Sequence, residues 1–319
     1  MPSPARSIRT AACLLLVGCG EGVTPYPHAA EPIGTARQVY DGALSPESAV
    51  TAFRNTDRLF ATRRVRRGQT VLPLPPSGRG MPAIRFVDGG REVSLAAYLN
   101  ENRVAGLLVL KAGAVVAEEY RLGNTAQTRW MSMSIAKSIT TILVGMALRD
   151  GAIGALSDPV TQYLPSLVGS GYDGVPLVNV LTMTSGARWD ETCTDSTSDR
   201  RRLLGAQLAQ KPGAVMAVMA SLPRMAELGT VYTYNTGETQ VAAELLRQAI
   251  GRPLTEYLSE RVWSRVGMEA DAYWWLDAPG GTEIGGSGLS ITLRDYGRFG
   301  LFLLGAPRSM ECRRCRTGG

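Results

Sequence analysis

The stretch Trp130-Met-Ser-Met-Ser-Ile-Ala-Lys137 opens an amphipathic run that ends at Asp150-Gly151, and it constrains the chain more than any other. The run predicts a helix, which sets Ser134 and Lys137 one turn apart on the same face. From there the lysine amine reaches the serine hydroxyl and takes its proton if burial depresses the amine's pKa. Ser134 falls in the first turn, where unpaired N–H groups and the positive dipole end favour negative charge on its oxygen or on a substrate oxyanion. The same pattern also fits an ordinary capping serine followed by a solvated lysine. Residue usage tilts the choice. Of the 34 basic residues only Lys111, Lys137 and Lys211 are lysines, and arginine cannot deprotonate and so cannot serve as a base.

His28 is the one histidine, in a proline-rich segment close to the N-terminus. A Ser-His-Asp triad, a Cys-His dyad and a multi-histidine metal site are therefore not expected, and no cofactor is implied. If the chain is a hydrolase, lysine or tyrosine is its base.

Residues 1–18 read as a targeting segment: Arg6 and Arg9, an apolar run from Ala11 to Val17, then Gly18-Cys19. The Leu16-Val17-Gly18-Cys19 ending resembles a bacterial lipobox, which implies lipidation of Cys19 and a membrane-anchored lipoprotein facing the periplasm. A plain secretory peptide is the alternative, and either reading exports the protein. The apolar run is too short to span a bilayer. Export invites disulfides, yet only Cys19, Cys193, Cys312 and Cys315 would remain, so no disulfide framework is implied. The net charge of +6 is modest, and the arginine clusters at 63–67 and 200–202 lack interleaved aromatics. They read as solvated faces, and no nucleic-acid partner is expected.

Residues 19–82 carry many prolines and weak periodicity, and are expected to form a tether and N-terminal extension. Val104–Lys111 and Ala114–Arg121 flank Ala112-Gly113, which predicts an antiparallel hairpin. Between 175 and 263 the pattern is helical, with runs from Val178 to Met183, Leu203 to Gln210 and Thr239 to Ile250. The expected class is α+β, an antiparallel sheet flanked by helices plus an inserted helical lobe, with the site between the two parts. A second chemical motif, Val231-Tyr-Thr-Tyr-Asn-Thr-Gly-Glu-Thr239, offers Tyr234 as the relay that passes the serine proton to a leaving group, or simply as one of two half-buried tyrosines.

Together the S-I-A-K-S stretch, the Y-N-T-G-E-T stretch and Gly285-Gly-Ser-Gly-Leu-Ser-Ile-Thr-Leu-Arg-Asp-Tyr-Gly-Arg-Phe-Gly300 resemble the serine hydrolase family of class C β-lactamases and esterases, closest to its 6-aminohexanoate-dimer hydrolase branch. The resemblance covers residues 83–305 and implies a β-lactamase/DD-peptidase-like fold. It also implies Ser134 as the acylated nucleophile, Lys137 as its activating partner and Tyr234 beside both, acting on a small-molecule ester or amide. Two departures matter. The branch has tyrosine where this chain has Cys193, a position implied to bind the substrate amide; a thiol is a shorter and weaker donor, which favours esters over amides. Cys193 as a nucleophile in its own right lacks a histidine partner.

Residues 306–319 resemble nothing in the family, and Cys312 and Cys315 lack a second pair of metal ligands, so no metal site is expected. A truncated or out-of-frame end is the expectation, with an oxyanion hole reduced to the Ser134 N–H and the 104–121 hairpin left with an open edge. The alternative to an exported Ser-Lys-Tyr hydrolase is then a catalytically weak lipoprotein remnant that only binds ligand. A penicillin-interacting enzyme or D-amino-acid peptidase also stays open.

Overall fold

A computed structural model describes residues 25–305. The expected signal segment with Cys19, and the tail with Cys312 and Cys315, lie outside the described residues. Among the described residues, eight strands form three antiparallel groups: β1 (Thr62–Val65), β2 (Arg85–Asp88), β3 (Arg91–Ser94), β4 (Gly106–Lys111), β5 (Ala114–Tyr120), β6 (Arg129–Met131), β7 (Ala272–Trp275) and β8 (Leu289–Thr292). The central sheet runs β1-β7-β8-β6, while β2-β3 and β4-β5 are separate hairpins. The class is α+β as the sequence predicts, an antiparallel sheet flanked by helices.

Ile135–Arg149 and Thr236–Ile250 are the two long helices that carry the site. The first buries Ala136, Ile139, Thr140, Leu143, Val144 and Ala147, a stripe at three- and four-residue spacing. That stripe packs on Val241, Ala242 and Leu245 of the second helix inside one core that also holds Trp263 and Trp274. The second helix starts at Asn235, whose side chain accepts the Glu238 N–H at 3.1 Å, and ends at Gly251 in the left-handed region with φ 66°. The smaller helices Leu177–Leu181, Asp199–Leu208 and Ala214–Ala220 form the inserted lobe.

The predicted hairpin is present as β4-β5, with a register shift between Val109 and Leu110. Its expected open edge is corrected on one side. Ser77 donates to the Val115 carbonyl and Val115 to that of Pro75, each at 2.8 Å, so residues 75–77 line β5. Gly297 of the helix Leu293–Leu303 comes so close to Leu108 that an added Cβ would lie 2.6 Å from it, and Arg294 grips Glu118 with two nitrogens.

Within the stretch expected as tether and extension, residues 26–65 contribute buried side chains to the domain, whereas 66–82 contribute none. Val65 of β1 is fully buried, and β1 pairs with β7 along its whole length. His28 is buried too, with Nε2 2.8 Å from Thr128 Oγ1 and Nδ1 3.1 Å from Glu31. The arginine clusters are solvated in part, with Arg64, Arg66 and Arg67 exposed, while other members are paired. Arg63 bonds the wholly buried Glu283 at 2.8 Å, Arg201 pairs with Asp41, and Arg202 with Asp199 at 2.8 Å. Arg200 is itself buried. A carboxylate placed across the fold is invisible to a reading of local charge runs. No helix among the described residues is long and apolar enough to cross a membrane.

β6 delivers the site. Just past it, Ser132 donates its N–H to the Leu289 carbonyl at 2.7 Å, and its hydroxyl accepts the Leu289 N–H at 3.2 Å. Gly288, with φ 83°, makes the turn into β8 against Trp275, where an added Cβ would lie 2.3 Å from the indole. Gly288→Ala combines backbone strain with overpacking, about 2 kcal/mol or more. It should lower the melting temperature followed by circular dichroism by roughly 4 °C or more.

Candidate active site

Ser134 is the N-cap of the first long helix and is exposed, its backbone at φ −71° and ψ −4°. Met133 before it has φ 44°, a left-handed conformation rarely adopted by a residue with a side chain. A left-handed residue followed by a right-handed one turns successive N–H groups toward one concavity, the geometry that cradles anions. The Ser134 N–H has no backbone acceptor among the described residues and is free to point there.

Lys137 Nζ lies 3.1 Å from Ser134 Oγ and donates to the Gly286 carbonyl at 2.9 Å. Tyr234 Oη stands 3.0 Å from the same Ser134 Oγ, and the amine is 5.3 Å from the centre of the Tyr234 ring. Burial pushes the Lys137 amine below its ordinary value. Tyr234 and then Glu191 draw it back in part, and Arg200 adds to the fall. A half-buried amine that sheds its proton more readily, within reach of a hydroxyl, has what a general base needs. The structure therefore brings together the three residues that the sequence singled out as serine, lysine and tyrosine.

Cys193 is not joined to them. It is exposed, its thiol 3.5 Å from the Glu191 carbonyl, and no hydrogen bond links it to Ser134, Lys137 or Tyr234 among the described residues. No cluster of three or more metal-ligating side chains occurs among the described residues.

Sequence reasoning missed Gly286, Glu191 and Glu238. Gly286 acts through its backbone carbonyl, which has no sequence signal beyond the glycine itself: an added Cβ would lie 2.8 Å from Thr236 and 3.4 Å from the Lys137 amine. Glu191 accepts the Thr236 N–H at 3.0 Å and the Trp189 indole N–H at 2.6 Å. Glu238 lies in the Y-N-T-G-E-T stretch itself, is buried, and takes the Ser185 hydroxyl on Oε1, while its Oε2 has no hydrogen-bond partner among the described residues. Burial pushes its carboxyl from the ordinary 4.5 up to about 8. The folded state thus holds this proton more tightly than the unfolded chain, and stability is lost as pH rises from about 4.5 through about 8. Glu238→Gln keeps the acceptor and removes the titration. Its melting temperature relative to the parent should climb steadily from pH 5 to pH 8, as measured by calorimetry.

Comparison with known proteins agrees with this geometry. The Beta-lactamase family model matches residues 91–311. A 6-aminohexanoate-dimer hydrolase of Paenarthrobacter ureafaciens is 30% identical over 259 residues, 79% of this chain and 64% of that protein. A beta-lactamase of Pseudomonas fluorescens is 26% identical over 180 residues, 54% of this chain and 46% of that protein. The chain thus spans less than two thirds of the length of either relative. Among solved structures, one from Bacillus anthracis assigned as a 6-aminohexanoate-dimer hydrolase superposes with a TM-score of 0.74 at 21% identity, covering 85% of this chain and 72% of that one.

Proposed function

The chain belongs to the Beta-lactamase family, and on that premise we propose that it is a serine hydrolase cleaving an ester or a linear amide through an acyl-enzyme on Ser134. The observation that carries the reading is the contact of one hydroxyl, Ser134 Oγ, with both a half-buried amine at 3.1 Å and a phenol at 3.0 Å. Ser134 Oγ attacks the substrate carbonyl carbon while its proton passes to neutral Lys137. The oxyanion forms against the Ser134 N–H at the helix start. Collapse expels the alcohol or amine, which takes a proton relayed from Lys137 through Tyr234. Water then attacks the ester of Ser134 along the same route in reverse and releases the acid.

Esters are the favoured class, because Cys193 offers only a thiol where the related branch has a phenol. Met133 and Ile135, on either side of the nucleophile, and Tyr232 near Tyr234 expose about half or more of their surface, at 51%, 47% and 66%. Such side chains favour an uncharged substrate with apolar flanks. The lipobox supports the further reading that the chain is exported and tethered through Cys19. Incorporation of labelled palmitate that persists in Cys19→Ala would count against it.

A fluorophosphonate probe should modify one peptide, the one holding Ser134, and labelling undiminished in Ser134→Ala would refute the nucleophile. Lys137→Ala should slow p-nitrophenyl ester hydrolysis by about 10²-fold or more, the size of a lost general base. Cys193→Tyr should raise amide turnover while leaving ester turnover near the parent value, read on a matched pair with the same acyl group.

A further inference from the structure

We propose that Glu191 is a positioning residue of this site, whose carboxylate fastens the start of the helix that follows Tyr234 and pairs with the buried Arg200, so that one side chain bears on both the place of Tyr234 and the charge around the base. The inference rests on the acyl-enzyme reading above and adds a residue to it.

The geometry is specific. Glu191 Oε2 accepts the Trp189 indole N–H at 2.6 Å and the Thr236 N–H at 3.0 Å, and Oε1 accepts the Thr236 hydroxyl. Thr236 is the first residue of a 15-residue helix, so its N–H is one of the donors that the helix itself leaves unpaired, and a carboxylate there also meets the positive dipole end. Tyr234 stands two residues upstream. Its phenol has a single hydrogen-bond partner among the described residues, Ser134 itself, and its side chain is 40% exposed. Side-chain packing does little to hold it, so its backbone must. That backbone is pinned on one side by the Thr233 N–H on the Met183 carbonyl at 3.1 Å, and on the other by the Asn235 side chain, which accepts the Glu238 N–H, and by Glu191 at Thr236.

The titratable and charged groups that act on Lys137 are Tyr234, Glu191 and Arg200. Arg200 is buried, with Nε 3.9 Å from Glu191 Oε1, so the carboxylate offsets a guanidinium that would otherwise face the amine unopposed. Removing the negative charge while keeping the shape favours neutral Lys137 at lower pH.

In the full chain, Glu191→Gln should move the acidic limb of the kcat/KM profile for p-nitrophenyl esters downward by about half a pH unit or more. Thr236→Val, which removes one partner of Glu191 and no charge, should leave that limb in place and lower kcat several-fold with KM little changed. Glu191→Asp should do the same, through its shorter reach. A profile for folded Glu191→Gln that superposes on the parent would overturn the charge role. Parent-like kcat in both Thr236→Val and Glu191→Asp would overturn the positioning role, and these two variants carry the test if Glu191→Gln does not fold. Fluorophosphonate labelling of the parent runs alongside. Unlabelled Ser134 sinks the acyl-enzyme reading itself, whereas labelled Ser134 with an unmoved limb sinks only the inference about Glu191.

Discussion

Desolvation of one amine is the interaction on which the rest of this site depends. Lys137 projects from the edge of the stripe that Ile139, Leu143 and Val144 lock into the core, and its amine is held there half-withdrawn from water by Ser134 Oγ and the Gly286 carbonyl. Its partners come from three places far apart in the chain: Ser134 on its own helix, the Gly286 carbonyl before β8, and Tyr234 ahead of the second long helix. The carbonyl satisfies the amine without adding charge. A carboxylate in that place would hold the lysine protonated and unable to act as a base.

The sheet explains why Gly286 and Ser134 meet at all. β6 ends three residues before the nucleophile and β8 begins three residues after the carbonyl, and the two strands are antiparallel neighbours. The Ser132 links to Leu289 fix their register at the end nearest the site, so both approach the amine from one edge of the central sheet. Met133 sits in the left-handed region between that anchor and the serine. Strain of this kind persists only where the surroundings over-determine it, and here the strand on one side and the helix on the other do so.

What was legible in the sequence follows from range. Ser134 and Lys137 were legible because helical spacing alone relates them, and the β4-β5 hairpin because turn chemistry and alternation are local. Tyr234 was legible as a residue type in a polar loop, but its contact with Ser134 spans 100 residues and follows only from the packing of the two long helices. Glu191 and the Gly286 carbonyl were not legible, since one acts on the backbone of a distant helix and the other through an atom that every residue has. The strand β1 was misread for a related reason. Thr62-Arg-Arg-Val65 is locally a basic run, and only pairing with β7, together with the buried Glu283 that meets Arg63, both more than 200 residues away, makes it a sheet edge.

The charged groups around the site differ in the partners that the fold gives them, and those partners assign their roles. Lys137 is half-buried and Glu238 buried, and both are pushed toward their neutral forms, the amine downward and the carboxyl up to about 8. They do so without neutralising one another, because neither is among the groups acting on the other. A shared low-polarity interior is the simpler cause, and it makes a base of an amine and a hydrogen-bonded spacer of an acid. Glu191 is the exception, with its side chain 25% exposed and three donors aimed at its carboxylate. A charge held at the rim acts on a half-buried amine across a medium that screens it less than water does, which is why one carboxylate there can matter to the base without touching it.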